Sequence, residues 1–331
     1  MSTADASTRA RLTRILTDTS EDDPVRPPLG TRLKYYFFIR RPEFLPGHIL
    51  IGLTPAMLGA TSWDELLSVN AAMAVLFAIV NMQLADQINA LADRWEDAAN
   101  KSRLATAVFG LGVKRVVGDI ILTSLVYVGL AVFLAIRTGH WDLLLIVTAG
   151  WIVGAQYSLP PWHLKSAGVG QLFGLYMWVW IPQLFVLRAF ENDLQWTNVV
   201  ATAALTVVLV ALFTTNQVED YFDDEEFGVR TYVRALGIKK TLAVQSVLMC
   251  VGSLTIVGSV YLNSGFNWLM ILFIAAWLAC QVYMFSLSKA ANAPIESVVT
   301  SVKKKSLVGP YLSMLMSSVT MLVGIGVLAQ N

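Results

Sequence analysis

The sequence predicts an all-α integral membrane protein with nine transmembrane helices. Three observations carry that prediction. Of the 331 residues, 56% are hydrophobic and only 14% charged, with a mean hydropathy of +0.59. An average soluble protein carries roughly 25% charged residues, and a soluble fold of this size could not cover its surface with so few. The apolar residues fall into runs close to the ~20 residues that cross a bilayer core of about 30 Å. The basic residues sit almost entirely between alternate runs. A net charge of +1 gives no electrostatic footprint for nucleic acid. The two cysteines, Cys250 and Cys280, lie inside apolar runs and offer no disulfide scaffold.

Residues 1–30 are polar, contain the acidic run Glu21-Asp22-Asp23, and are expected to be a disordered cytoplasmic tail. The transmembrane domain is expected over 31–331. No apolar segment precedes the first span, so no cleavable secretory signal is expected. Residues 31–42 mix Tyr, Phe, Arg and Lys, the composition of an interfacial helix or of the aromatic, basic flank of the first span. The spans then run over roughly 43–63, 67–92, 115–136, 142–158, 168–189, 195–216, 241–262, 267–288 and 308–329. The fourth stops at Pro160-Pro161, because proline has no N–H to continue a helix. None of the runs alternates apolar with polar residues, which excludes a transmembrane barrel.

Orientation follows from the lysines and arginines. Twenty-two of the 24 lie on the side of the N-terminal tail, and only Arg137 and Arg188 lie opposite. Positive residues favour the cytoplasm. The N-terminus is therefore expected in the cytoplasm and the C-terminus outside, in a prokaryotic cell membrane.

The acidic residues carry the chemical information. Asp86, Asn89, Asp93 and Asp97 close the second span, and Asn216, Asp220, Asp223 and Asp224 close the sixth. At 100° per residue, Asn89, Asp93 and Asp97 share an arc of about 80°. Asp86 lies in the same arc one turn deeper. Ionised carboxylates stacked at the edge of a bilayer are costly, and two such rows at matching ends call for a compensating cation. Carboxylate oxygens suit Mg²⁺, which keeps several waters and commonly bridges one or two carboxylates to substrate phosphates. Two facing rows could clamp a diphosphate in that way. The plain alternative is a pair of solvated helix caps. Basic residues on the same side could complete an anion site: Lys101 and Arg103 after the first row, Arg230 and Arg234 after the second, and Lys165 in the turn that closes the fourth span. Lys165 is the only basic residue of its loop, and a rigid Pro-Pro turn places it. The others read first as positive flanks and only second as anion ligands.

These motifs together resemble the UbiA superfamily of intramembrane prenyltransferases. The N-x-x-x-D-x-x-x-D motif is matched by Asn89, Asp93 and Asp97, and D-x-x-x-D by Asp220 and Asp224. The string from Gly228 to Gly237 matches G-x-R-T…R-x-L-G. The segment 157–165, YSLPPWHLK, resembles the turn of chlorophyll-synthase-like and quinone-type members, and Arg41-Pro42 fits the family's entry to span one. The resemblance covers about residues 35–330. One departure stands out: Asn100-Lys-Ser-Arg103-Leu-Ala-Thr lacks the proline that many members carry after the first motif.

The resemblance implies a nine-helix, UbiA-like bundle around a central cavity open to the cytoplasm and laterally to lipid. It implies an Mg²⁺-dependent enzyme that ionises a polyprenyl diphosphate and transfers the prenyl group to a lipophilic acceptor, commonly aromatic. Asn89, Asp93, Asp97, Asp220 and Asp224 would hold Mg²⁺, with Asp223 beside them. Lys165 would contact the diphosphate, with Tyr157 near it. Some members are terpene cyclases that need no acceptor, and the altered loop leaves that alternative open. A transporter is the third class, although it would be expected to carry polar residues at mid-membrane. Trp151, Trp178, Trp180 and Tyr176 are candidates for facing a cationic intermediate, or simply pack. Asp86 is expected either to serve the chemistry as a base or electrostatic guide, or to be a buried acid bonded to Asn81, Gln83 or Gln87.

Overall fold

The computed structural model describes residues 3–17, 27–100, 102–190 and 194–330. Among them there are helices and connecting turns and no strand. The nine apolar runs appear as helices Leu45–Gly59, Val69–Ala92, Val113–Thr138, Leu143–Ser158, Gly170–Phe190, Trp196–Glu219, Ile238–Ser264, Leu269–Ala290 and Val308–Leu328. Seven of these are long and apolar enough to cross a membrane; Leu45–Gly59 and Leu143–Ser158, at 15 and 16 residues, fall short of that length. The third and eighth leave long apolar faces exposed, including Leu122, Leu125, Val282 and Phe285. Such faces are what lipid contact requires.

Local chemistry sets the helix ends. Ser62 Oγ accepts from Glu65 N at 3.2 Å while Glu65 Oε2 accepts from Thr61 N at 2.8 Å, so side chains satisfy amides at the start of the turn before the second helix. Ser68 Oγ caps the second helix through Ala71 N. Gly139, at φ 77°, ends the third helix in the left-handed conformation that glycine adopts without strain. The fourth helix stops at Leu159, directly before the two prolines.

Packing fixes the sixth helix, which carries the second acidic row. A Cβ on Gly252 of the seventh helix would come within 3.0 Å of Ala204 O, and one on Gly309 of the ninth within 2.6 Å of Leu212 O. Both glycines let helix backbones approach closely, as in other membrane bundles. On the other side, Phe77 stacks between Tyr127 and Phe185, with ring centroids 4.6 and 3.5 Å away. That stack ties together the second, third and fifth helices.

Two expectations change. The tail is not wholly unstructured: Thr3–Leu16 is helical, and Leu29 opens a second helix, Leu29–Phe38. Ile15 is buried, and Arg94 Nη2 reaches Arg14 O and Thr17 O, both at 3.1 Å. Arg94 is itself almost fully buried, and these carbonyls supply acceptors for its guanidinium. The rest of the tail expected to be disordered, residues 1–2 and 18–26, lies outside the described residues. Neither acidic row is a continuous helix. The second helix stops at Ala92 and a new one starts at Arg94; the sixth stops at Glu219 and a new one starts at Tyr221. Asp93 and Asp220 occupy the two breaks, at nearly the same backbone angles (φ −97°, ψ 5° and φ −87°, ψ 7°).

Candidate active site

One cavity of about 550 Å³ lies at the end of the bundle where both breaks occur. Its rim holds Asn89, Asp93 and Asp97 from the first row and Asn216, Asp220, Asp223 and Asp224 from the second. Its deeper walls are largely apolar, with Ile51, Met82, Leu175, Val179 and Leu209. The two rows therefore face a shared space. The break at each central aspartate turns the chain, while the i+4 backbone bonds continue across it: Asp97 N to Asp93 O and Asp224 N to Asp220 O, both 2.8 Å.

Lys165 joins the first row. Its Nζ lies 2.6 Å from Asp93 Oδ2 and 2.9 Å from Glu96 Oε2. The Pro-Pro turn delivers it through His163, a non-glycine residue at φ 42°, with Leu164–Ser166 forming one 3₁₀ turn. Left-handed backbone in such a residue costs energy and is held by its surroundings. Here His163 N donates to Leu159 O, and its ring shares a 2.8 Å hydrogen bond with Arg11 of the N-terminal helix. Asn89 Nδ2 donates to Asp93 Oδ2 at 2.7 Å and to Ser158 Oγ at 3.2 Å, which fixes the carboxylate from the other side.

Burial works against the charge on Lys165, but Asp93 and Glu96 outweigh it and hold its pKa well above the ordinary lysine value. Glu96 is pushed up by burial and by Asp93, against the pull of Lys165. Burial lifts Asp224 to about 7, opposed by Lys165 and aided by Asp220. The Thr231 hydroxyl beside Asp224 pulls the other way, and Asp224 Oδ2 is buried without a well-formed hydrogen bond among the described residues. An oxygen in that state is a ready ligand for a hard cation, and the donor set as a whole, carboxylates with two carboxamides, fits Mg²⁺. Among the described residues no three Asp, Glu, His or Cys side chains converge tightly enough to cage an ion by themselves.

The other expected site residues divide. Tyr157 and Arg103 line the cavity. Tyr157 lies 5.2 Å ring to ring from Trp178, the only one of the four candidate aromatics on the lining. Trp151 reaches the exposed surface instead, and Tyr176 and Trp180 pair with each other, 6.0 Å ring to ring. Lys101 lies outside the described residues. Arg230 and Arg234 do not line the cavity. Arg230 meets the Lys165 loop through its backbone, its N donating to Ser166 Oγ and its O accepting from Gly168 N. Arg234 braces the second row, its Nη1 donating to Asp224 O and Val229 O. Both arginines support the site's framework, and their spacing in sequence could not separate that from anion binding.

Four participants were not anticipated. Glu96 was visible three residues after Asp93 but lies off the Asn89–Asp97 arc. Arg41 and His48 also line the cavity; Arg41 was legible only as part of the Arg41-Pro42 entry to span one, and His48 belonged to no motif. Gln171 gave no signal at all. It is fully buried, and it donates to Tyr157 OH at 3.1 Å and Gln217 Oε1 at 2.8 Å while accepting from Tyr232 N at 2.9 Å. One side chain thus links the end of the fourth helix, the sixth helix and the start of the short helix Tyr232–Leu236.

Fold and site together define a helical membrane protein built around a carboxylate-rimmed, apolar cavity. The profile of the UbiA prenyltransferase family matches residues 48–296, and the chain belongs to that family. Among solved structures it is similar to a UbiA homologue from Archaeoglobus fulgidus bound to GPP and Mg²⁺, at 17% identity and TM-score 0.65, over 89% of this chain and 99% of the other. It is also similar to a digeranylgeranylglyceryl phosphate synthase (13% identity, TM-score 0.61, 89% and 99% covered). The apo UbiA homologue from Aeropyrum pernix K1 follows at 14% identity and TM-score 0.57, with 84% and 97% covered. No curated protein sequence matches the chain significantly.

Proposed function

We propose that this protein is an Mg²⁺-dependent intramembrane prenyltransferase acting on a polyprenyl diphosphate and a lipophilic, aromatic acceptor. The observation that carries the reading is the meeting of both aspartate rows and Lys165 on one cavity with apolar walls. Asn89, Asp93, Asp97, Asp220, Asp223 and Asp224 would hold Mg²⁺, which supplies neutralising charge to the leaving diphosphate. The relative bound to GPP and Mg²⁺ supports that assignment.

The protein's own residues do the rest. Lys165 adds positive charge where negative charge grows as the allylic C–O bond breaks. Tyr157 and Gln171 hold the Lys165 turn against the sixth helix. Ile51, Met82, Leu175 and Val179 keep water from the allylic carbon, and Trp178 offers a π face beside it. The same ionisation would open a terpene-cyclase reaction, and the buried polar pair described below favours transfer instead. Membership in a prenyltransferase family favours chemistry over transport.

The reading includes nine spans, with Leu45–Gly59 and Leu143–Ser158 crossing as short helices, and a cavity open to the cytoplasm and to lipid. A short helix is accommodated by local thinning of the bilayer or by flanking residues that reach the interface. Incubating purified protein with Mg²⁺ and C10, C15 and C20 prenyl diphosphates tests the reading. Metal-dependent diphosphate release is expected with at least one of them, and none with all three contradicts it.

A further inference from the structure

A prenyl diphosphate accounts for the rim of the cavity and for its apolar walls. It does not account for Asp86 and His48. Asp86 sits three residues before Asn89 on the second helix, about 4.5 Å deeper along the axis. His48 comes from the first helix. Both line the cavity, at 3% and 4% exposure. His48 Nε2 stands 3.5 Å from Asp86 Oδ2. Neither Asp86 Oδ2 nor His48 Nδ1 has a hydrogen-bond partner among the described residues. Under the alternative reading Asp86 would bond Asn81, Gln83 or Gln87, and none of them donates to Oδ2; the Gln87 amide is itself buried without a partner.

Burying such groups without partners is expensive. A hydrocarbon tail has no O–H or N–H and cannot satisfy them. Water would satisfy them but would also quench an allylic cation. The ligand that fits is a second, lipophilic substrate that brings its own donor.

We propose that Asp86 and His48 form the acceptor's side of this site: the aromatic acceptor of the reading above presents an O–H to Asp86, and Asp86 takes its proton. The proposal rests on the prenyl-diphosphate reading above. The allylic C–O bond breaks and its electron pair leaves with the diphosphate. The acceptor's oxygen, or the ring carbon beside it, forms the new bond to the allylic carbon. When carbon forms the bond, its displaced ring proton moves to the oxygen and restores the phenol. One proton leaves in either case, and it passes to Asp86 Oδ2. His48 is a positioning residue: its ring, 3.5 Å from Asp86 Oδ2, bounds the carboxylate on the side of the first helix.

The test uses purified protein in lipid nanodiscs with Mg²⁺, the C10, C15 and C20 diphosphates, and two probes that differ only in the donor: 2-naphthol and 2-methoxynaphthalene. Diphosphate release and prenylated product are measured together. Prenylated product is expected with the naphthol and not with its methyl ether. In Asp86→Asn, the ratio of prenylated product to diphosphate should fall about 100-fold, the scale of a lost general base, with free prenyl alcohol in its place. Asp86→Leu should also raise the naphthol KM, because leucine removes the acceptor atom that asparagine keeps. In His48→Gln, kcat for transfer should fall while the KM for the prenyl diphosphate stays level. Diphosphate release by each variant reports that it is folded. Equal product from the methyl ether, no product from the naphthol, or an unchanged ratio in Asp86→Asn would overturn the proposal. A wild-type protein that releases no diphosphate would instead overturn the parent reading.

Discussion

Lys165 Nζ lies 2.6 Å from Asp93 Oδ2, so the turn after the fourth helix is bound directly to the break after the second. The half-buried ammonium is held charged by Asp93 and Glu96, which is the state needed to stabilise a departing anion. Lys165→Met should lower the rate of diphosphate release by about 100-fold at saturating Mg²⁺, the usual cost of losing one such charge stabiliser. A loss smaller than about threefold in a stopped-time release assay would remove Lys165 from the mechanism.

Gln171 is predicted to be a framework residue. Gln171→Leu removes its bonds to Tyr157 and Gln217 and leaves the Tyr232 amide buried without its acceptor. Such losses cost about 1–3 kcal/mol. A lower melting temperature in detergent is expected, and an unchanged one would show that the network adds little.

Gly309 tests the packing that holds the second row. Any Cβ there meets Leu212 O at 2.6 Å. Gly309→Val should destabilise the bundle by about 1–3 kcal/mol, the usual range for overpacking, and shift the sixth helix away from the ninth. Thermal unfolding in detergent measures the first effect. Crosslinking between cysteines placed on the two helices measures the second.

The topology is testable without activity. Twenty-two of 24 basic residues lie on one side of the nine runs. A periplasmic-type phosphatase fused after the last helix should be active, and a cytoplasmic fluorescent reporter at the same point should be dark. The reverse pattern would turn the cavity to the outside and contradict the proposed orientation.

Much of this architecture was legible in the sequence, because a bilayer imposes length and apolarity on each span. The nine apolar helices fall within a few residues of the expected runs. The acidic rows were legible because charge at a membrane edge is conspicuous. What periodicity could not show is that Asp93 and Asp220 break their helices, since a rigid 100° step assumes no break. The helix Thr3–Leu16 was hidden by its polar composition; it is tied down through Ile15 and through buried Arg94, a contact made some 80 residues away in sequence. Arg230 and Arg234 were indistinguishable from anion ligands because only tertiary contacts reveal what a guanidinium bonds. His48 was hidden for the same reason: its significance lies in standing 3.5 Å from Asp86 across two helices.

The central claim is that the two aspartate rows act as one metal-diphosphate clamp. Asp93→Ala and Asp220→Ala, one from each row, test it most directly when Mg²⁺-dependent diphosphate release is measured alongside wild type. Each single substitution should abolish release, because the clamp needs the central carboxylate of both rows to neutralise the leaving diphosphate. Release retained at near wild-type rate in either variant would contradict the clamp.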